Sequence, residues 1–354
     1  MSWDIKITKN TETKSSNTSF ENLPFGKVFT DHMFIADYYD GKWKDCRIVP
    51  FGNMDLHPAT FALHYGQSIF EGIKAERTAS GEILIFRPEM NARRFAHSAE
   101  RIAMPEVPED LFLESISELI KVDHSWVPQG IKNASLYIRP FLFGTDPILG
   151  VKIGERYRYC VIIGPVGAYY SEPVNVWIQD HYVRAFPGGT GSAKFSGNYS
   201  STLYPVQEAK EHGCQQILWT DGEEHKYFQE IGTMNIFFVI NNVILTPSLD
   251  DDTILHGVTR DSIIQIAKTK GYPLEERKIS VDELLAAFES KAIQDMFGAG
   301  TAAVVNPIEG FVYKGKKYNL DFMDRKLSQE MKTEIEGIKS GSIPDSYHWT
   351  YVVK

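Results

Sequence analysis

The chain has 354 residues, 43% hydrophobic and 23% charged, an ordinary balance for a globular protein of two domains or one large one. Its formal charge of −9 argues against nucleic acid or an anionic membrane as main partner, while leaving room for a small anionic ligand held by a few local groups. Cys46, Cys160 and Cys214 are scattered and the ten histidines form no ligand-like cluster, so neither a disulfide framework nor a metal site is expected, and a reducing cytosol is the simplest home.

Residues 1–22 read as a polar lead-in without the apolar core of a signal peptide, and 9–22 as solvated chain, with order starting near Leu23. Val28 to Tyr39 and Trp43 to Val49 read as strands turning at Asp40-Gly41, a strong hairpin signal. A second hairpin is expected at Ser80-Gly81, with Ile83 to Phe86 as its return. Pro88 suits the first position of a helix running to about Met104, with Phe95, Ala99 and Ile102 as its apolar stripe and Arg94 beside it. A second helix spans Glu109 to Val122 and buries Leu111, Phe112, Ser115, Ile116, Leu119 and Ile120. Ala134 to Phe143 is a strand with Tyr137, Arg139 and Phe141 on one face and Leu136, Ile138 and Leu142 on the other. The strand Tyr157 to Ile163 follows.

Ser171-Glu172-Pro173 reads as a crossing between two halves. It divides the chain into a first domain at 23–172, a linker at 173–182 and a second domain at 183–354. In the second half a helix from Tyr204 to His212 stops at Gly213, and a strand spans Gln215 to Thr220. Asn235 to Ile240 and Val243 to Thr246 form a hairpin through Asn241-Asn242. Helices are expected from Asp261 to Lys270, after a capping box at Ser280 to Glu283, and from Asp324 to Lys339. No apolar run is long enough to span a bilayer.

The chemistry centres on Gly188-Gly189-Thr190-Gly191-Ser192-Ala193-Lys194, with Tyr199 five positions on. A lysine among glycines reads either as a flexible exposed loop or as an amine brought to a flat ligand by backbone that takes φ > 0. Buried, that amine would lose its proton more easily and could form a Schiff base. A phosphate loop is excluded, because Ala193 and Phe195 stand where that motif needs Gly and Ser or Thr.

Four further stretches have two readings each. His256 to Asp261 leads into a helix: Thr259 serves as its N-cap, or the Val258 and Thr259 amides receive an anion, and the two are compatible. Phe297 to Ala303 loosely fits a dinucleotide fingerprint, but Val304-Val305-Asn306-Pro307 disfavours the helix that motif needs, so a tight turn with exposed amides fits better and a nicotinamide enzyme is disfavoured. Glu230, before an apolar strand, is a solvated turn residue or a buried acid that needs a cationic or N–H partner, such as a pyridinium nitrogen. Arg139 is a paired structural arginine or a carboxylate anchor. A Schiff-base lysine, two amide-rich anion sites, an acid for a ring nitrogen and aromatic walls together match the needs of pyridoxal 5'-phosphate.

These residues resemble the branched-chain amino acid aminotransferases, a class IV family of fold type IV pyridoxal-phosphate enzymes. PFGKVFTDHMF, LHYGQSIFEGIKAE, SLYIRPFLFGTDPILGV, GGTGSAKFSGNY, QEIGTMNIFFV, LHGVTRDS and FGAGTAAVV follow in the family's order from about Phe25 to the end. The resemblance implies a mixed α/β (α+β) subunit of two domains with the cofactor at the domain interface, and a homodimer in the cytoplasm. It implies that Lys194 carries the cofactor as an internal aldimine and shuttles a proton, that Tyr199 bonds the phenolic oxygen and that Glu230 bonds the ring nitrogen. The phosphate would lie with Arg94, Val258, Thr259 and Thr301. Tyr137, with Arg139 behind it, and the Thr301–Ala302 amides would receive the substrate carboxylate, while Phe25, Tyr65, Phe70, Tyr169 and Thr233 shape the side-chain pocket. The implied reaction is ping-pong transfer from L-leucine, L-isoleucine or L-valine to 2-oxoglutarate, yielding glutamate and branched 2-oxo acids. A D-amino acid transaminase, an aminodeoxychorismate-type lyase and a non-catalytic cofactor carrier are the alternatives. Animal members carry a Cys-x-x-Cys where this chain has Ala303 and Asn306, so thiol redox control is not expected there.

Overall fold

The computed structural model describes residues 3–131, 133–167 and 172–354. The chain divides into one unit of Met1–Tyr169, Ala193–Gly197 and Gly337–Lys354 and a second of Tyr170–Ser192 and Asn198–Glu336.

In the first unit, β-branched and aromatic runs become β1 (Lys6–Ile7), β2 (His32–Tyr39), β3 (Lys42–Pro50), β4 (Ser68–Phe70), β5 (Ile73–Arg77), β6 (Ile83–Phe86), β7 (Ser135–Gly144) and β8 (Tyr157–Val166). They pair in the order β1-β3-β2-β8-β7-β5-β6, with β4 also beside β7. Asp40 (φ 52°) and Gly41 (φ 73°) make the β2–β3 turn, and positive φ at both central positions matches the twist of the strands they join. With the sheet go α1 (Phe61–Tyr65), α2 (Pro88–Arg101) and α3 (Glu109–Val122). Pro88 opens α2 as expected, and Glu109 and Asp110 sit in the first turn of α3, where a negative charge suits the helix dipole. Phe95 from α2 and Phe112 and Ile116 from α3 pack with Phe34, Ile48 and Tyr159 of the sheet, all fully buried. Each such side chain contributes about 1.5–3 kcal/mol by leaving water.

The lead-in departs from expectation. Although its side chains are mostly exposed, its backbone is bonded. β1 pairs in parallel with β3, Lys6 opposite Arg47. The Asn10 amide donates to His32 Nε2 at 2.8 Å, while Asp123 holds His32 Nδ1 at 2.6 Å. Thr13 Oγ1 and the Lys14 amide donate to Asp31 at 2.6 and 3.1 Å. Addition to a sheet edge uses main-chain groups, so a polar composition does not forbid it.

The second unit contains β9 (Val174–Ile178), β10 (Gln216–Thr220), β11 (Phe228–Ile231), β12 (Met234–Ile240), β13 (Val243–Thr246), β14 (Leu274–Glu276), β15 (Ile293–Gly300), β16 (Val304–Tyr313) and β17 (Lys316–Asn319). Its helices are α4 (Ser196–Ser200), which begins in the first unit's segment, α5 (Leu203–Glu211), α6 (Val258–Thr269), α7 (Val281–Glu289) and α8 (Lys326–Ser340), whose last turn from Gly337 belongs to the first unit. The sheet runs β11-β10-β9-β16-β15-β12-β13-β14, and β11 also pairs with β12, so six strands close on themselves. A closed ring leaves no edge among its members. The stretch expected to link two domains, 173–182, therefore holds a central strand: β9 lies between β10 and β16 in parallel with both, and its Val174, Val176 and Ile178 are buried. Pro173 read as a crossing because the apolar alternation after it is only five residues long.

Ser280 caps α7 by accepting from the Glu283 amide at 3.1 Å, as the capping box predicts. Asp295 of β15 binds the start of α8, accepting from the Ser328 amide at 2.7 Å and from the Met296 amide at 2.9 Å. The last strand, β18 (Thr350–Val352), pairs with β6 and completes the first sheet. Among the described residues no helix is long and apolar enough to cross a membrane.

Candidate active site

The lysine stretch contributes to both units: 188–192 belong to the second, 193–197 to the first. Of its glycines, Gly188 takes positive φ at 75°, whereas Gly191 is needed for space, since a Cβ there would lie 2.4 Å from the Thr253 carbonyl oxygen. Asn198 and Thr190 tie the loop's base together with two side-chain bonds of 2.7 Å.

In the first unit, Lys194 is pinned by its backbone. Its carbonyl accepts from the Phe70 amide at 3.1 Å, its amide donates to Ser98 Oγ at 2.8 Å, and Phe195 bridges to Ile69 of β4. Its amine lies 4.9 Å from the centre of the Phe70 ring. The Arg139 guanidinium lies 4.7 Å from the same ring and donates to the Tyr137 hydroxyl at 2.9 Å. Phe25 meets the Tyr137 ring edge-on at 4.9 Å. The β7 alternation read from the sequence thus puts Tyr137 and Arg139 on the lysine's side, half-buried. Among the described residues the buried Arg139 Nε has no hydrogen-bond partner.

Arg94 stands nearby in the unit, 8% exposed, on the buried face of α2. Its Nε and Nη2 donate to the two oxygens of Glu71 at 2.7 and 2.8 Å, and Asn91 Nδ2 adds a third bond at 2.8 Å. Glu71 has no exposed surface. Burial alone would push its carboxyl up, but the Arg94 guanidinium, the charge of Lys194 and the Asn91 amide together hold it below the ordinary glutamate range. Glu71 was not anticipated; its one sequence signal is that Asn91 and Arg94, three apart, share a helix face. Tyr65 ends α1, 40% exposed, against Phe61 and His64. Tyr169 lies outside the described residues.

The second unit holds the other acidic group. Glu230 of β11 is 4% exposed, so its reading as a solvated turn residue falls. It accepts from the Leu255 amide at 2.7 Å and faces Arg184 Nε at 3.4 Å. Asn235, directly across from it on β12, donates to the Leu255 carbonyl at 2.9 Å. One cross-strand pair therefore grips both polar groups of Leu255 and sets the start of α6. Gly257 follows, where a Cβ would lie 1.9 Å from Asn235 Oδ1. Asn235 was missed because a polar residue opening an apolar strand carries no pattern of its own.

Gly257, not Thr259, is the N-cap of α6, and it makes no side-chain cap bond. Val258 and Thr259 occupy the first turn, where helix geometry leaves amides without an internal acceptor. Asn235 also pairs with Ala299 of β15, two residues before the Thr301–Ala303 turn into β16. No helix follows the glycines: Gly298 and Gly300 make room for Met234, with Cβ positions 2.8 and 3.1 Å from its atoms. Val304 leaves the turn at φ 61°, a strained value for a β-branched residue. Thr233 is exposed in the β11–β12 turn, and Tyr199 is half-buried in α4 with its carbonyl bonded by Thr202.

Comparison with known proteins identifies the family. The family model for amino-transferase class IV matches residues 68–310. Branched-chain-amino-acid aminotransferase 2 of Bacillus subtilis is 41% identical over 96% of this chain and 94% of its own. The Mycolicibacterium smegmatis branched-chain-amino-acid aminotransferase is 43% identical over 93% and 91%. Among solved structures, the branched-chain aminotransferase of Thermoproteus uzoniensis with norvaline superposes with a TM-score of 0.75 at 25% identity, covering 91% of this chain and 100% of that one. The T.th. branched-chain amino acid aminotransferase complexed with N-(5'-phosphopyridoxyl)-L-glutamate gives 0.72 at 27% identity, covering 93% and 99%. A family match running from β4 into β16, with such relatives along nearly the whole length, means that the chain belongs to the class IV aminotransferases and, within them, to the branched-chain-amino-acid aminotransferases.

Proposed function

We propose that this branched-chain aminotransferase uses pyridoxal 5'-phosphate to pass the amino group of leucine, isoleucine or valine to 2-oxoglutarate by a ping-pong route. The observation that carries the reading is the shared Phe70 ring. The Lys194 amine and the Arg139 guanidinium lie 4.9 and 4.7 Å from its centre, so the place where an aldehyde would be held for exchange between amines neighbours a cation suited to a carboxylate. An α-amino acid presents those two functions on one carbon. The donor set also fits the cofactor: a lysine amine, a buried carboxylate for a ring nitrogen, and first-turn amides under a glycine cap for a phosphate.

When bound, the pyridinium ring draws electrons from the substrate's α-carbon and makes its proton removable. Lys194 Nζ would take that proton from Cα and deliver it to the cofactor's C4′ carbon. Glu230 keeps a proton on the ring nitrogen, and the Tyr199 hydroxyl bonds the phenolic oxygen. Arg94, Val258, Thr259 and Thr301 hold the phosphate. Tyr137, oriented by Arg139, receives the substrate carboxylate with the Thr301–Ala302 amides. Phe25, Tyr65, Phe70, Tyr169 and Thr233 enclose the side chain, and aromatic walls suit aliphatic substrates. The norvaline and phosphopyridoxyl-glutamate bound by the solved relatives support an aliphatic donor and a glutamate-sized partner for the same site.

A second copy of the chain is proposed to cover the apolar patch of the first unit. Leu63 of α1 is exposed, as are Leu149, Val151 and Ile153, and the bridge from Thr60 to Pro147 brings the two segments together. V151E/I153E is expected to elute as a monomer in size-exclusion chromatography; an unchanged dimer would place the interface elsewhere. The three buried free thiols, Cys46, Cys160 and Cys214, suit the reducing cytoplasm proposed for it, to be checked by cell fractionation.

The deciding experiment is borohydride reduction of the holoenzyme followed by peptide mapping, with K194A assayed on leucine and 2-oxoglutarate. Label at Lys194 and a loss of activity of about a thousandfold or more are expected. Label on another lysine would remove Lys194 from the reaction, and a preference for D-amino acids would favour the D-transaminase alternative.

A further inference from the structure

One face of α2 organises two charged groups at once. Asn91, Arg94 and Ser98 lie three and four residues apart, so they line a single stripe. Asn91 and Arg94 bind Glu71, while Ser98 Oγ takes the amide of Lys194. Phe70, the residue before Glu71, donates to the Lys194 carbonyl at 3.1 Å. The lysine segment and the guanidinium are therefore fixed to one rigid element and to two consecutive residues, Phe70 and Glu71.

We propose that Glu71 is a positioning residue whose carboxylate locks the Arg94 guanidinium in the orientation that receives the cofactor's phosphate. The proposal rests on the reading of Arg94 as a phosphate partner and adds how it is held. Glu71 takes the Nε–Nη2 edge of the guanidinium with two short parallel bonds, which fixes the plane of the group and directs Nη1 away from Glu71. Asn91 Nδ2 and the Gly72 amide, at 2.8 and 3.2 Å, hold the carboxylate in turn. A buried arginine without such a partner would swing toward water or disorder before the cofactor arrives, and binding would then have to order it. Glu71 touches no reacting atom in this scheme and acts only through Arg94.

The test compares the dissociation constants of pyridoxal 5'-phosphate and of pyridoxal, which lacks the phosphate, by visible absorbance titration of the cofactor-depleted full chain. In E71Q, affinity for the phosphorylated form should fall about ten- to a hundredfold, the worth of a charge-assisted bond, with pyridoxal nearly unaffected. Equal weakening of both ligands, or of neither, overturns the proposal, because a purely structural role would not discriminate between them. Should E71Q not fold, N91A serves: it removes one restraint on the carboxylate, and a smaller loss confined to the phosphorylated ligand is expected, while an unselective effect or none counts against the lock. R94Q separates the two claims. If R94Q still discriminates as the wild type does, the phosphate reading of Arg94 is wrong; if R94Q loses discrimination and E71Q keeps it, only the role of Glu71 fails.

Discussion

Glu71 in the first unit and Asp295 in the second are both buried carboxylates, and their titrations move in opposite directions. At Asp295 burial wins: the amides of Ser328 and Met296, the Ser328 hydroxyl and the charge of Arg325 pull the other way, and the carboxyl still rises above the ordinary aspartate range. At Glu71 burial is the largest single influence too, yet the Arg94 fork, with Lys194 and Asn91, overcomes it and the carboxyl falls. Apart from the Arg94 fork, Glu71 accepts from Asn91 and the Gly72 amide, and Asp295 accepts from the Ser328 and Met296 amides. What separates them is a cation within bonding distance. At Asp295 the dipoles only partly offset burial, whereas at Glu71 a full opposite charge in contact makes the charged form the preferred one. The first carboxylate sits where a charge is kept permanently, beside the lysine; the second sits where a helix start needs an acceptor.

Breaking that contrast should have its largest effect in R94M. With the fork gone, Glu71 becomes a buried carboxylate without its cation, and chemical denaturation should show a loss of about 3–5 kcal/mol. Stability of this variant should also fall as pH rises, as for any acid whose folded pKa lies above its unfolded one. A smaller loss is expected in D295N, about 1–3 kcal/mol, because the new NH2 must face an amide donor at Ser328 or Met296.

The pH dependence of the wild type sharpens the comparison. Glu71, with a lowered pKa, contributes stability that is complete above its unfolded value of about 4.3 and is lost as pH falls through the folded one. Asp295, with a raised pKa, has the reverse sign: its contribution is greatest in acid and declines as pH rises from about 3.9 through its folded value. Melting curves on the acid limb should therefore be flatter in E71Q and steeper in D295N than in wild type; matching slopes in all three would mean that neither group titrates as argued. The smallest effect should come from S98A, which removes one bond to the Lys194 amide. A stability loss of about 1 kcal/mol and a several-fold drop in kcat with little change in KM are expected from stopped assays.

Much of this was legible in the sequence wherever local chemistry decides the outcome. The β2–β3 turn needed two residues at positive φ and Asp40-Gly41 supplied them; Ser280 and Glu283 announced the start of α7; strict alternation in β7 put Tyr137 and Arg139 on one face. Lys194, Glu230 and the residues near α6 stood out by type and by family resemblance. What remained hidden depends on partners distant in the chain. Glu71 meets Arg94 only because β4 and α2 lie together, and the pair across Glu230 and Asn235 depends on strand register. The lead-in looked solvated because backbone bonding to an edge leaves no mark on composition. β9 was hidden by brevity, since five residues of alternation after a proline resemble a connection. The cap of α6 was misread because a glycine held by steric closeness to Asn235 competes poorly, on paper, with a threonine two places on.

The strand orders also have a consequence for how the chain is made. Val174 of β9 pairs with Ile308 of β16, and Phe86 of β6 pairs with Thr350 of β18. Both sheets are thus unfinished until the last fifth of the polypeptide has left the ribosome, and the early half cannot settle ahead of the late half as sequential domains do. Long-range pairings of this kind slow folding because a large loop must close before any contact rewards it. During synthesis β6 and β9 each wait with one flank unpaired, and truncated chains that end before residue 300 should be the species most prone to self-association.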